Sequence, residues 1–238
     1  MSPTPSPNPN PSPTMPPRHH PGEELLLAHA AGTLGAGPGL IVAVHLEACG
    51  ACRALVAALE VAGGVMMAEL PPVPMSSLAL ERALAAIERP GAVAVAVTGA
   101  GAVTGAVAAP KVPAGLELPL ALRGRDVGPW RWLAPGMRWS RVAVPEAPRA
   151  NVVLMRGRPD RLLPAHGHRG SEFTQVLCGA IYDGDVRYGP GDMFVADDAT
   201  HHHLRVADEG ECLCIAAIEG RMRMSGLIGR IVQPLVGP

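Results

Sequence analysis

AHGHRGSEFTQVLCG, residues 165–179, sets two imidazoles and a carboxylate, His166, His168 and Glu172, ahead of a glycine at 179. Side chains alternate along a strand, so His166 and His168 fall on one face. Four extended residues would carry Glu172 about 13 Å from His168, and Gly170 is therefore expected to help the chain turn back. Downstream, Gly189-Pro190-Gly191-Asp192 is a turn signal, followed by the imidazoles of His201, His202 and His203. Imidazoles and a carboxylate gathered at a barrel mouth are ligands for a first-row divalent metal.

The surrounding sequence has the texture of a β domain. Short β-type runs at residues 139–144, 151–155, 173–177 and 212–218 are separated by glycine and proline, the pattern of a small antiparallel barrel or sandwich. Cys212 and Cys214 are two apart and share a strand face, where they read as small buried thiols. The spacing HxHxxxExxxxxxG, followed by PGD and a later histidine, resembles the paired cupin motifs over most of residues 114–238. The resemblance implies a metal held by His166, His168, Glu172 and a later histidine, best matched to His202. Strand parity turns His201 and His203 the other way, so a shift of one residue would change that choice. Zinc is the expected ion, with manganese, iron or nickel as alternatives.

Upstream the chain reads differently. Residues 1–17 alternate proline with serine, threonine and asparagine and are expected to form a disordered, solvated tail. From Glu23 the apolar spacing turns helical. A first helix stops near Gly35–Gly37, and a second begins around Pro38. Gly50 weakens the pattern, which resumes through Leu55, Val56 and Leu59 as far as Gly63-Gly64. A fourth segment, 77–89, has Ser77 as its cap and ends before Pro90.

His45, Cys49 and Cys52 lie between the second and third segments. Spacings of four and seven share one helical face. If the helix instead breaks at Gly50, CxxC forms a knuckle that His45 approaches from the last turn. Either geometry converges on a borderline-soft ion such as zinc, whose fourth ligand would be His20 or His19.

Arg18-His19-His20, LLLAHAAGTL at 25–34 and His45xxxCys49xxCys52 together resemble the zinc-binding anti-sigma domain of ChrR-type transcriptional regulators. GRMRMSGLIGRIVQPLVG, at 220–237, is similar to the end of their cupin domain. The resemblance implies zinc on His20, His45, Cys49 and Cys52. It also implies an extracytoplasmic-function sigma factor as partner, and release of that partner under photooxidative stress from singlet oxygen or peroxide-type products. The expected fold class is α+β multidomain: a disordered tail at 1–17, a helical zinc domain at 18–90, an Ala/Gly/Val-rich linker at 91–113 and a cupin β-barrel at 114–238.

Composition narrows the alternatives. With 20 basic and 21 acidic residues the formal charge is −1, which gives no general attraction to nucleic acid or an anionic membrane. No phosphate-binding glycine loop or Ser-His-Asp order is present. Residues 91–109 lack charge but also lack Leu, Ile and Phe, so they read as linker rather than membrane span. Five cysteines, two of them in CxxC, suit metal-held thiolates in a reducing compartment, and the cytoplasm is expected. The competing reading is a metal-dependent cupin enzyme such as a small-molecule dioxygenase. It leaves the helical zinc module unexplained.

Overall fold

A computed structural model describes residues 16–88, 118–163, 166–198 and 203–224, the side chains of His166, His168 and 221–224 excepted. The linker read at 91–113, most of the proline-rich tail and His202 lie outside the described residues. Four helices come first: α1 (Glu23–Ala30), α2 (Ala36–Ala48), α3 (Gly50–Ala68) and α4 (Ala79–Glu88). Glu23 and Glu24 sit in the first turn of α1, where they favour the positive end of the helix. Gly32, at φ +67°, lets the chain leave that helix, and the Thr33 N–H bonds back to the Ala28 carbonyl. Pro38 occupies the first turn of α2, where its missing N–H costs nothing.

Three boundaries differ from those expected. Helix α1 ends at Ala30, short of Gly35–Gly37, because the left-handed Gly32 stops it first. Gly63 and Gly64 do not end α3, which runs on to Ala68, because neither adopts the left-handed conformation that stops a helix. Helix α4 begins at Ala79, and Ser77 falls in the turn before it.

A six-stranded sheet and a three-stranded sheet follow. The strands are β1 (Arg131–Ala134), β2 (Met137–Val142), β3 (Asn151–Gly157), β4 (His166–Cys178), β5 (Ile181–Asp183), β6 (Val186–Tyr188), β7 (Met193–Ala196), β8 (Leu204–Val206) and β9 (Cys212–Met224). Their orders are β1-β2-β3-β9-β4-β7 and β6-β5-β8, with every pairing antiparallel.

Period-two alternation gives the large sheet two different faces. Val153, Val176, Cys214, Ala216 and Ile218 turn inward and pack with Ile181, Leu204 and Val206 of the smaller sheet. Val152, Leu154, Phe173, Leu213 and Ile215 turn outward into a second core shared with Leu26, Leu40, Ile41, Val44 and Val56 of the helices. Helix and sheet approach closely at Gly37, where a Cβ would meet Ala217 at 3.4 Å. Helices α1–α3 are thus joined to the sheet through one continuous apolar layer.

Helix α3 is long and apolar enough, by length and composition, to cross a membrane. Its first two turns are nevertheless committed to the shared core through Cys52 and Val56.

The sharpest departure from expectation lies in β4. Instead of turning back at Gly170, the strand continues, paired with β9 from His166↔Met224 to Cys178↔Leu213. Gly170 faces Gly220, at φ +125° and +89°, and a Cβ on Gly170 would stand 2.1 Å from the Glu219 carbonyl oxygen. The pair permits an irregular backbone within the ladder rather than a reversal. Gly170→Ala is expected to destabilise the protein by about 2–3 kcal/mol, read as a lower urea midpoint at unchanged m-value.

Candidate metal centre at the junction of helices and sheet

The chain direction breaks between α2 and α3 at one residue, Cys49. Its extended backbone, φ −117° and ψ 105°, closes α2 and opens α3, so Gly50 begins the second helix. The Cys49 sulfur accepts the Cys52 N–H at 3.5 Å, taking the place of an oxygen N-cap. Arg53 reaches back to the Leu46 carbonyl and, at 3.5 Å, to that of Glu47, occupying two carbonyls left open at the end of α2. The junction is the knuckle form of CxxC, with His45 arriving from the last turn of α2.

His20 completes the cluster. One ligand atom from each of His20, His45, Cys49 and Cys52 lies within 4.8 Å of the other three. The His45 Nε2 to Cys52 Sγ distance is 3.3 Å, and the His20 Nδ1 is 3.4 Å from both sulfurs. A tetrahedral zinc, bonded to sulfur at about 2.3 Å and to nitrogen at about 2.0 Å, holds neighbouring nitrogen and sulfur atoms about 3.5 Å apart. The donor set and its edges fit such an ion. His45, Cys49 and Cys52 are buried while His20 is exposed, so the site is reached from one side.

Burial lowers the His45 pKa, and it is the main cause that pushes the Cys52 thiol up to about 12, reinforced by Cys49 beside it. Ligation at neutral pH must therefore displace thiol protons.

His19, the other candidate for the fourth position, turns away. Its Nδ1 lies 3.3 Å from Asp192 Oδ2, and its ring meets Tyr188 at a centroid distance of 4.5 Å. Asp192 belongs to the Gly189–Asp192 turn and organises it. Oδ2 accepts the Gly189 N–H at 2.8 Å, and Oδ1 accepts the N–H groups of Arg18 and His19 at 2.6 and 2.9 Å. Burial opposes the charge on Asp192, but these backbone donors outweigh it and hold the carboxyl below its usual range. Gly191, at φ +90°, lies under Pro17 and Ala48 and has no room for a side chain.

The His45 ring is fixed from the sheet. Nδ1 is 3.0 Å from the Gly191 carbonyl and 3.2 Å from Gln175 Oε1, while Gln175 Nε2 donates to the same carbonyl at 2.7 Å. Two acceptors at Nδ1 place the proton there and leave Nε2 with its lone pair toward the sulfurs. Spacing arguments do not point to Gln175. Parity does: with Glu172 and Thr174 inward, Gln175 is a polar residue on an outward apolar face, and burial there demands a partner.

For the downstream motif, Glu172 is buried on the inner face of β4, and the Thr174 hydroxyl donates to its Oε1 at 2.8 Å. His166 and His168 share that strand, at ladder positions facing Met224 and Met222. Cys212 and Cys214 are free, buried thiols 3.5 Å apart on one strand face. Burial also raises Cys178, chiefly by desolvation, so it is poorly disposed to form a thiolate.

A family described as "ChrR Cupin-like domain" matches residues 123–219. The anti-sigma-E factor ChrR of Cereibacter sphaeroides is 36% identical over 222 residues, covering 91% of this chain and 97% of that protein. The chain belongs to the ChrR family. A crystal structure of Rhodobacter sphaeroides SigE in complex with the anti-sigma ChrR aligns at 33% identity with a TM-score of 0.66, covering 85% of this chain and 99% of that one. The overall arrangement of helices followed by a cupin-like β domain is thus shared with that solved relative.

Replacing Cys49 or Cys52 with serine in the full-length protein is expected to abolish uptake of one zinc per chain, as measured by elemental analysis. In the unsubstituted protein, zinc affinity should climb as pH rises, because fewer thiol protons remain to be displaced. A chelator competition from pH 6 to 8 reads that slope.

Proposed function

We propose that this chain is a zinc-dependent anti-sigma factor that sequesters an extracytoplasmic-function sigma factor in the cytoplasm and releases it under photooxidative stress sensed by the cupin-like domain. The observation that carries the reading is an apolar surface with no cover among the described residues. Beyond Leu59, α3 leaves the shared core, and Val61, Val65, Met66 and Met67 stand exposed on it. Helix α4 buries no residue, and its apolar positions Leu80, Leu84 and Ile87 recur at the spacing of one helical face. Ile87 is 68% exposed. An amphipathic helix of this kind is a docking element for another apolar surface. The related ChrR has a crystal structure in complex with SigE.

Zinc on His20, His45, Cys49 and Cys52 would supply a cross-link between the segment before α1 and the α2–α3 knuckle. The protein's own part is to aim α3. Its knuckle end is fixed by Cys52 and Arg53, and its far end carries the docking surface. In the cupin-like domain, His166, His168, Glu172 and His202 would hold a second ion, zinc or else manganese, iron or nickel.

Coexpressed with its sigma factor, the full-length protein is expected to copurify with it. Leu84→Lys should weaken that complex by tenfold or more while leaving zinc content unchanged. His45→Ala should remove both zinc and partner. Equal recovery of the sigma factor with all three proteins would refute the clasp. Glu172→Gln is expected to retain the partner yet blunt induction of sigma-dependent transcription under light and photosensitiser.

A further inference from the structure

The His45 imidazole and the backbone that leads into His20 are held by bonds that originate in the β domain, whereas both thiols are held by the α2–α3 junction itself. His45 is gripped at Nδ1 by Gln175 of β4 and by the Gly191 carbonyl. His20 follows a segment whose Arg18 and His19 N–H groups end on Asp192, and the Met193 N–H closes on the His19 carbonyl at 3.1 Å. Gln175 is 1% exposed, and both ends of its amide are used, one toward the ring and one toward the turn.

We propose that Gln175, a residue of the cupin-like sheet, is a positioning residue for the helical metal site, so that the β domain sets how long the ion is retained. The inference rests on the reading of His20, His45, Cys49 and Cys52 as metal ligands and goes beyond it. It makes the site a composite of two domains. Groups that accept from the non-ligating nitrogen of a metal-bound histidine fix its tautomer and raise its basicity, and their loss costs about 10- to 100-fold in affinity. Gln175 also lies three residues from Glu172 on the same strand, on the opposite face. In the β4–β7 ladder Glu172 pairs with Ala196 and Gln175 with Met193, which adjoins the turn residue Asp192. A shift of β4 at its inner face therefore has a direct mechanical route to the His45 ring.

The test uses the zinc-loaded, full-length protein and follows zinc transfer to a chromogenic chelator, alongside the visible absorption of the cobalt-substituted form. Gln175→Leu removes both bonds at similar volume and is expected to release zinc at least tenfold faster, with a shifted cobalt spectrum. Gln175→Glu keeps an oxygen facing Nδ1 and should fall between Gln175→Leu and the unsubstituted protein. It also provides a second reading should the leucine variant fold poorly. Val153→Ala, a cavity in the inner core away from the site, controls for general loss of stability and should release zinc at the unsubstituted rate. Equal release rates for Gln175→Leu, Gln175→Glu and the unsubstituted protein would overturn the inference, as would acceleration by Val153→Ala as large as that by Gln175→Leu. If the unsubstituted protein takes up neither zinc nor cobalt, the ligand reading itself falls, and the inference with it; that result is distinct from normal uptake with unchanged release.

Discussion

The His45 imidazole has to satisfy two modules at once, and much of the structure follows from that demand. A buried ring needs a partner for each nitrogen. Here one nitrogen faces a sulfur of the helical knuckle and the other faces oxygens of the sheet and its turn. These contacts require α2 to lie against the sheet at close range, which the glycine at 37 and the small side chain of Ala217 allow. They also require the turn at Gly191 to approach Pro17 and Ala48 without a side chain between them. The apolar layer between helices and sheet supplies most of the driving force for docking, while the polar contacts at its edge define the register.

The sequence made the cluster legible because three of its four residues fall within eight positions, and local spacing brings them together. His20 is separated from them by the whole of α1, and nothing local distinguishes it from His19. The distinction arises from Asp192, far along the chain, which captures the backbone N–H groups of Arg18 and His19 and the His19 ring and leaves the next ring directed toward the sulfurs. The β texture of residues 173–177 was likewise readable, whereas Glu172 was expected to follow a reversal and lies instead on the same continuous strand. The continuation of the strand through Gly170 was not readable, because it depends on a second glycine, Gly220, standing opposite in β9. Helix ends followed the same rule. Gly32 stops α1 because the chain there adopts a left-handed backbone, whereas Gly63 and Gly64 remain helical because no following contact draws them out of it.

Membership in the ChrR family and the shared arrangement with the solved SigE–ChrR complex give these contacts a context. A regulator of this kind needs a surface that is sticky yet stable until met by its partner. The exposed apolar side chains of α3 and α4 provide the first property. Anchoring the start of α3 at the Cys49 knuckle, with Cys52 and Val56 in the shared core, provides the second, since the helix does not depend on its exposed half for its position.

Helix α3 also converts angle into distance. Its 19 residues extend about 27 Å from the Cys49 pivot, so a tilt of about 10° at the knuckle would displace the tip by roughly 5 Å. That sweep exceeds the reach of a side-chain contact. A disturbance too small to unfold anything near the sulfurs would therefore suffice to break a snug fit at the other end of the rod.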